Sequence, residues 1–322
     1  MTRELLLLRH GKADLNLGVE DFKRALKDKG KRAAQRVGVW LATHDMVPET
    51  IISSPAERAL TTAEKCSKAM GRFAGHIVQE RKIYQAEMDD LLEVLRKLPA
   101  DLKRVMLVGH NPGLEKLLVA LAGDDIAPEK NGKLLPTAAL AILEIEGDWS
   151  ALKPGKARLQ SIIRAATLPD KFPWPLQESR EYRDRPAYYY NQSSVITYRL
   201  RDGELEIMIV RSSQKKHWVV PKGIHEPGLT AQESAAREAL EEAGVEGHVD
   251  PEPVGNYRYE KWGGICVVDV FTMEVRHIIP ESEWEESHRT RQWVTAQEAA
   301  SLLRQAELGP MVMALARLKS AH

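Results

Sequence analysis

The stretch from Gly223 to Val245, GIHEPGLTAQESAAREALEEAGV, constrains this chain more than any other. Thr230 followed by Glu233 is a capping box, a signal that starts a helix. Gly244 stands where a left-handed cap would end that helix. Between those signals Glu238, Glu241 and Glu242 fall at i, i+3 and i+4, so a regular helix projects all three carboxylates from one face. A like-charged row destabilises a plain surface helix. It becomes favourable beneath a divalent cation, because hard ions such as magnesium take carboxylate oxygens. The stretch reads as a metal platform for phosphate chemistry, against the plainer reading of a solvated acidic helix.

A chain of 322 residues suggests about two domains. Lys+Arg and Asp+Glu are both 46, so the overall charge argues for neither a nucleic-acid nor a membrane partner. Cys66 and Cys266 stand far apart in apolar surroundings and read as reduced core residues, not as a disulfide or a zinc site. Leu5 to Leu8 is too short for a signal peptide, and no run approaches a membrane span. The expected location is cytoplasmic.

The first half alternates strand and helix signals. Leu5 to Leu8 is a continuous apolar run, suited to a parallel strand covered on both faces, and it leads into Arg9-His10-Gly11. Helical spacing follows over Asp21 to Trp40, then a strand at Glu49 to Pro55 and a helix at Ala56 to Met70 with Arg58 in its first turn. A helical stretch at Met88 to Leu98 precedes the strand Val105 to Gly109, which leads into His110-Asn111-Pro112-Gly113, and a last strand covers Ala138 to Glu146. This order predicts a layered α/β domain with a mostly parallel sheet. Ligands of such sheets bind beyond the carboxyl ends of the strands, where Arg9, His10, Arg58 and His110 all fall. Arginines and histidines converging there suit a dianionic phosphoryl group, one imidazole as nucleophile and the other as a donor. Asn16 is a further substrate-binding candidate.

From Arg164 to Gln192 the pattern breaks down around Pro169, Pro173, Pro175 and Pro186, with the charged run Glu178 to Arg185 between. The expected division is therefore a domain over 1–165, a connector over 166–192 and a second domain over 193–322. Strands at Ser194 to Arg199 and Glu206 to Arg211 flank an Asp202-Gly203 hairpin turn. Beyond the acidic stretch lies a long β run, Gly264 to Val275. A closing helix carries Leu302, Leu303, Met311, Met313, Leu315 and Leu318 as core residues.

Gly223, Arg237, Glu238, Ala239, Glu241, Glu242, Gly244 and Val245 match in register the Nudix box, G-x5-E-x7-R-E-U-x-E-E-x-G-U with U aliphatic, and the stretch resembles that family. The resemblance implies an α/β/α sandwich with a mixed sheet and Mg2+ or Mn2+ held by Glu238, Glu241 and Glu242. The general base would be a box Glu or a loop residue, Glu285 or Glu286. The first Glu of the pattern falls on Leu229; Glu233 or Glu226 is then the expected partner of Arg237. Trp218 to Gly223, with Lys222 as a phosphate contact, and the segment Trp284 to Val294, with Arg289 and Arg291, resemble the diadenosine and diphosphoinositol polyphosphate branch. Tyr257 and Tyr259 are base-stacking or packing residues.

Arg9-His10-Gly11, Ser54-Pro55-x-x-Arg58-Ala59 and Gly109-His110-Asn111 resemble the histidine phosphatase superfamily. Phe22-x-Arg24-x-Leu26 with Gly30, Tyr84-x-Ala86, and Thr137-Ala138-Ala139 are closest to its small bacterial phosphohistidine phosphatases. The resemblance implies His10 as nucleophile, with Arg9, Arg58 and His110 holding the phosphoryl oxygens. Candidates for a general acid are Glu87, Asp89 and Asp90. The expected protein is a bifunctional phosphohydrolase with a small phosphorylated substrate, a nucleotide, or a phosphohistidine protein. The alternatives are a phosphohistidine signalling phosphatase with a nucleotide-sensing Nudix domain, or an inositol pyrophosphate hydrolase.

Overall fold

The computed structural model describes residues 2–15, 18–128, 132–174 and 181–320, in two compact units, Met1–Pro186 and Ala187–His322. Asn16, Pro175 and the start of the charged run at Glu178 lie outside the described residues.

The first unit contains β1 (Thr2–Arg9), α1 (Asp28–Thr43), β2 (Thr50–Ser53), α2 (Glu57–Ala69), β3 (Val78–Gln79), α3 (Met88–Arg96), β4 (Arg104–Gly109), α4 (Gly113–Ala122), β5 (Ala139–Glu146), β6 (Ala157–Arg164), β7 (Phe172–Trp174) and β8 (Glu181–Arg183). Six strands form one sheet in the order β3-β2-β4-β1-β5-β6, the first four parallel and the last two antiparallel. The apolar run of β1 is continuous because both faces are covered. Leu5 and Leu7 enter the core beneath α3 and α4, while Leu6 and Leu8 enter the core beneath α1 and α2. Each of these four is fully buried, a contribution of about 1.5–3 kcal/mol apiece.

One expected helix is shorter than its pattern. Residues Asp21–Lys23 form a single tight turn, and α1 starts only at Asp28. The intervening residues are taken by the chain after His10: Ala13 bridges Leu26, and Lys27 N–H donates to the Lys12 carbonyl. The stretch 166–192, expected as a connector, is divided between the units, for β7 and β8 pair with each other and Phe172 is buried within the first unit.

The second unit contains β9 (Asn191–Arg201), β10 (Glu204–Arg211), β11 (Trp218–Val219), β12 (Lys222–Ile224), α5 (Ala231–Glu238), β13 (Val245–Val249), β14 (Gly255–Lys261), β15 (Gly264–Ile278), β16 (Arg291–Thr295), α6 (Ala296–Leu302) and α7 (Leu308–Ser320). Its eight-stranded sheet is mixed, with β9 and β15 parallel and the other pairs antiparallel. Asp202 and Gly203 both take positive φ, as the β9–β10 hairpin turn requires. Ile196, Tyr198, Ile207 and Ile209 pack toward α6 and α7, and Val195, Met208 and Val210 toward α5. This is a helix–sheet–helix sandwich. Leu303 and Leu315 join its core, but Leu302 and Leu318, expected there, are 43% and 65% exposed because the closing segment is two helices and not one. Among the described residues no helix is long and apolar enough to cross a membrane.

Candidate active sites

In the first unit, parallel strands deliver one cluster. Arg9 at the end of β1 lies opposite Gly109 at the end of β4, so His10 and His110 leave the sheet side by side with ring centroids 5.1 Å apart. Arg58 stands in the first turn of α2. Gly11 N–H donates to Thr62 Oγ1 at 2.9 Å, and that hydroxyl donates to the Arg58 carbonyl at 2.6 Å, tying the turn after His10 to the helix that carries Arg58. A Cβ on Gly11 would meet the Gly30 carbonyl oxygen at 2.7 Å, so the turn needs glycine.

His10 Nδ1 lies 2.8 Å from the Gly11 carbonyl oxygen. A carbonyl only accepts, so the proton of the neutral ring sits on Nδ1 and Nε2 keeps its lone pair. Burial lowers the His10 pKa to about 4, aided by Arg58, Arg9 and Arg24 and opposed by the Gly11 bond. Burial, then His10 and Arg58, lowers that of His110 to about 3. Both rings are neutral at ordinary pH. His110 Nε2 lies 2.9 Å from Ser54 Oγ, whereas His110 Nδ1 and Arg9 Nε are buried without a hydrogen-bond partner among the described residues. Arg9 Nη1 donates to the Leu135 carbonyl at 2.7 Å.

A carboxylate that the sequence did not single out joins this pocket. Asp21 Oδ1 accepts from Arg24 at 2.8 Å, and its Oδ2 accepts from Arg58 Nη2 and from the Tyr84 hydroxyl, each at 2.9 Å. Arg58 Nη1 donates to the Asp21 backbone carbonyl. Burial opposes ionisation of Asp21, yet the hydrogen bonds from Tyr84, Arg24 and Arg58 outweigh it and hold the carboxyl down at about 2. The signal was present, since Asp21 directly precedes Phe22-x-Arg24-x-Leu26; reading 21–40 as one helix hid the turn that aims it. None of the three candidate proton donors is bonded into this pocket among the described residues. Asp90 accepts the Glu87 N–H at 2.9 Å in the capping box of α3, Glu87 pairs with Lys116 at 2.5 Å, and Asp89 is exposed in the first turn of that helix.

In the second unit Thr230 and Glu233 form the expected capping box, and Gly244 takes φ 60° as the left-handed cap. The helix between them changes character: α5 ends at Glu238 and continues as a π turn over Ala239–Ala243. Such turns are rare and concentrate at functional sites. The wider turn departs from the α-helical phase that the i, i+3, i+4 spacing assumes. Glu241 pairs with Arg237 at 3.0 Å, its side chain 38% exposed, while the Glu242 side chain is 16% exposed. Glu242 Oε2 accepts the Lys222 N–H at 3.0 Å, and a Cβ on Gly223 would fall 1.8 Å from Glu238 Oε1, so both of these carboxylates face β12.

Burial, then the charges of Glu242 and Glu241, pushes Glu238 up to about 8, and burial raises Glu242 against the Lys222 N–H and Arg289. Surplus negative charge on hard oxygens is what a divalent cation neutralises, so Glu238 and Glu242 fit such an ion. Among the described residues no three His, Cys, Asp or Glu side chains are gathered as a ready metal cluster.

The two arginines expected to meet a polyphosphate are committed to the protein instead. Arg289, buried, donates to Glu242 Oε1 at 2.5 Å, to Glu286 and to the Arg211 carbonyl. Arg291 donates to the Ala243 and Gly244 carbonyls at 2.8 and 2.9 Å, caps the end of the carboxylate helix, and stacks on Trp284 at 4.5 Å. Spacing within this segment does not show that these guanidiniums point back at the helix. Lys222 is no surface lysine: its Nζ donates to Gln192 Oε1 at 2.6 Å and to the Tyr259 hydroxyl at 3.1 Å. Burial lowers its pKa. Lys222, Tyr257, Tyr259, Lys261 and Arg304 line a cavity of about 480 Å³. Gln192 is the residue the sequence reading missed here. Glu233, one expected partner of Arg237, is spent on Thr230, accepting its N–H at 2.7 Å and its hydroxyl at 2.9 Å. Glu285 is exposed, and Glu286 is held by Arg289.

Comparison with known proteins gives the class. Residues 190–315 match the NUDIX domain family model, and residues 5–84 match that of the histidine phosphatase superfamily (branch 1). Nudix hydrolase 12 of Arabidopsis thaliana, a mitochondrial protein, is 34% identical over 152 residues, covering 39% of this chain and 73% of that protein. An uncharacterized protein of Mycobacterium tuberculosis is 29% identical over 157 residues, 47% of this chain and 96% of that protein. Among solved structures, the protein histidine phosphatase SixA complexed with tungstate is 19% identical, covers 51% of this chain and 97% of that one, and has a TM-score of 0.43. The chain belongs to the Nudix hydrolases and carries a histidine phosphatase domain ahead of its Nudix domain. Both families are hydrolases acting on phosphate bonds.

Proposed function

We propose that the chain is a bifunctional phosphohydrolase with a metal-independent phosphatase site around His10 and a magnesium-dependent Nudix site around Glu238 and Glu242. The observation that carries this reading is the fixed tautomer of His10, whose Nδ1 is tied to Gly11, leaving the Nε2 lone pair for a substrate beside Arg58 and His110. In the phosphatase step Nε2 attacks phosphorus, the bond to the leaving group breaks, and a phosphohistidine forms. Water then cleaves the P–N bond, releasing inorganic phosphate and restoring His10. Arg9, Arg58 and His110 hold the phosphoryl oxygens. With Ser54 as donor to His110 Nε2 the ring proton would sit on Nδ1, and that nitrogen and Arg9 Nε are buried in this pocket without a hydrogen-bond partner among the described residues. Asp21 is held ionised and offers no proton, which favours substrates with good leaving groups, such as phosphohistidine or another activated phosphate.

In the Nudix domain Glu238 and Glu242, joined by Glu241, are the residues to hold Mg2+ or Mn2+. When bound, such an ion polarises phosphate oxygens and acidifies water. Arg289 holds Glu242 and Glu286 in place, and Arg237 steadies Glu241. The cavity beside Lys222 suits the non-reacting end of a nucleoside triphosphate or dinucleoside polyphosphate, with Lys222 toward its acceptor oxygens. A panel of activated phosphates and nucleotides, run on wild type, His10→Ala and Glu242→Gln, tests the assignment. Each variant should lose one substrate class and keep the other; loss of both in either variant defeats the two-site reading. Leu229 and the outward pairing of Glu241 favour one alternative, a nucleotide-sensing Nudix domain. Tight nucleotide binding without magnesium-dependent turnover in wild type would establish it.

A further inference from the structure

Asp21 is an acid in the wrong place for a site meant to receive a dianion. It stands among the residues assigned to phosphate, and it occupies them: both terminal nitrogens of Arg58 bond to Asp21, one to its backbone carbonyl and one to its carboxylate. Arg24 bonds the other carboxylate oxygen, and Tyr84, whose ring packs against His110 at 5.7 Å, gives its hydroxyl to Oδ2. The tight turn Asp21–Lys23, stapled in place by the Ala13–Leu26 bridge, aims the carboxylate at these groups. The Asp21 side chain is nevertheless 44% exposed, so it can swing away without opening the core.

We propose that Asp21 is a built-in anion that occupies the Arg58 end of the phosphoryl seat, must yield to the incoming phosphoryl group, and weakens the hold on the phosphate product. This rests on the reading of the His10 cluster as a phosphoryl site. A dianion entering beside Arg58 meets a carboxylate that competes for the same guanidinium and repels it. After turnover the same carboxylate recaptures Arg58 as phosphate leaves. Asp21 is thus a residue that sets affinity and release, and not a proton donor.

The sign of one substitution separates this role from simple positioning of Arg58. Removing a competing anion should tighten binding of inorganic phosphate by about tenfold, since the carboxylate both occupies Arg58 and repels the incoming dianion. Removing a mere support should weaken it. The experiment is calorimetric titration of the full chain with inorganic phosphate for wild type, Asp21→Asn, Asp21→Ala and Arg58→Gln, with thermal unfolding of each as a check on folding. Tighter binding in both Asp21 variants, with a lower KM and stronger product inhibition in turnover, is the expected result. If Arg58→Gln abolishes phosphate binding but both Asp21 variants bind as wild type or more weakly, the proposal is overturned and the phosphoryl site stands. If Arg58→Gln changes nothing, the site reading fails and takes the proposal with it.

Discussion

In the phosphatase domain the charges around His10 are the cations Arg9, Arg24 and Arg58, and the carboxylate among them, Asp21, is held near a pKa of 2. In the Nudix domain the corresponding groups are carboxylates, and burial with mutual repulsion pushes Glu238 up to about 8. Each site also contains its own counter-charge: Asp21 sits on Arg58, and Arg289 sits on Glu242. The difference teaches how two folds meet one anion. A cationic pocket holds a phosphoryl group directly and then needs only a nucleophile. An acidic pocket repels the same group until a divalent ion inverts the local field.

That contrast can be broken at either end. The largest effect belongs to His10→Ala, which should lower phosphatase turnover by roughly a thousandfold or more while leaving nucleotide hydrolysis intact, as assays on both substrate classes would show. Next, Glu242→Gln should cut magnesium-dependent nucleotide hydrolysis by about a hundredfold and leave the phosphatase rate unchanged. Arg289→Gln tests whether the internal counter-charge positions Glu242; Mn2+ affinity by titration calorimetry should fall about tenfold. If affinity rises instead, Arg289 competes with the metal as Asp21 is argued to compete with phosphate. A smaller effect concerns pH. Because His10 and His110 titrate near 4 and 3 when folded, below the ordinary 6.5, the unfolded chain takes up protons that the folded one does not. The contribution of these two histidines to the stability of the phosphatase domain is therefore fully present above pH 6.5 and is lost as pH falls toward 4 and 3, while the nucleophile stays neutral and kcat/KM shows no loss near 6.5. Midpoints of thermal unfolding and a rate profile between pH 5 and 8 check both statements.

Much of this was legible in the sequence where a side chain's role follows from its own neighbours. The strand-end positions of Arg9, His10 and His110, the Thr230 capping box and the Gly244 cap are local features, and each lies where its pattern placed it. What failed depended on through-space partners or on helix phase. The i, i+3, i+4 rule assumes an unbroken α-helix, whereas the chain makes a π turn at Ala239–Ala243. Arg289 and Arg291, candidates for a polyphosphate, instead bond Glu242 and the end of the carboxylate helix. Asp21, Tyr84 and Gln192 act through partners far away in the chain, which no spacing within one segment reveals.

The contrast in metal need is the most direct test of all. Wild-type enzyme should be assayed with 4-nitrophenyl phosphate and with diadenosine tetraphosphate, each in excess Mg2+ and in excess chelator. The account predicts that the first activity persists in chelator and that the second disappears and returns with Mg2+. Loss of both activities in chelator, or survival of both, would contradict it.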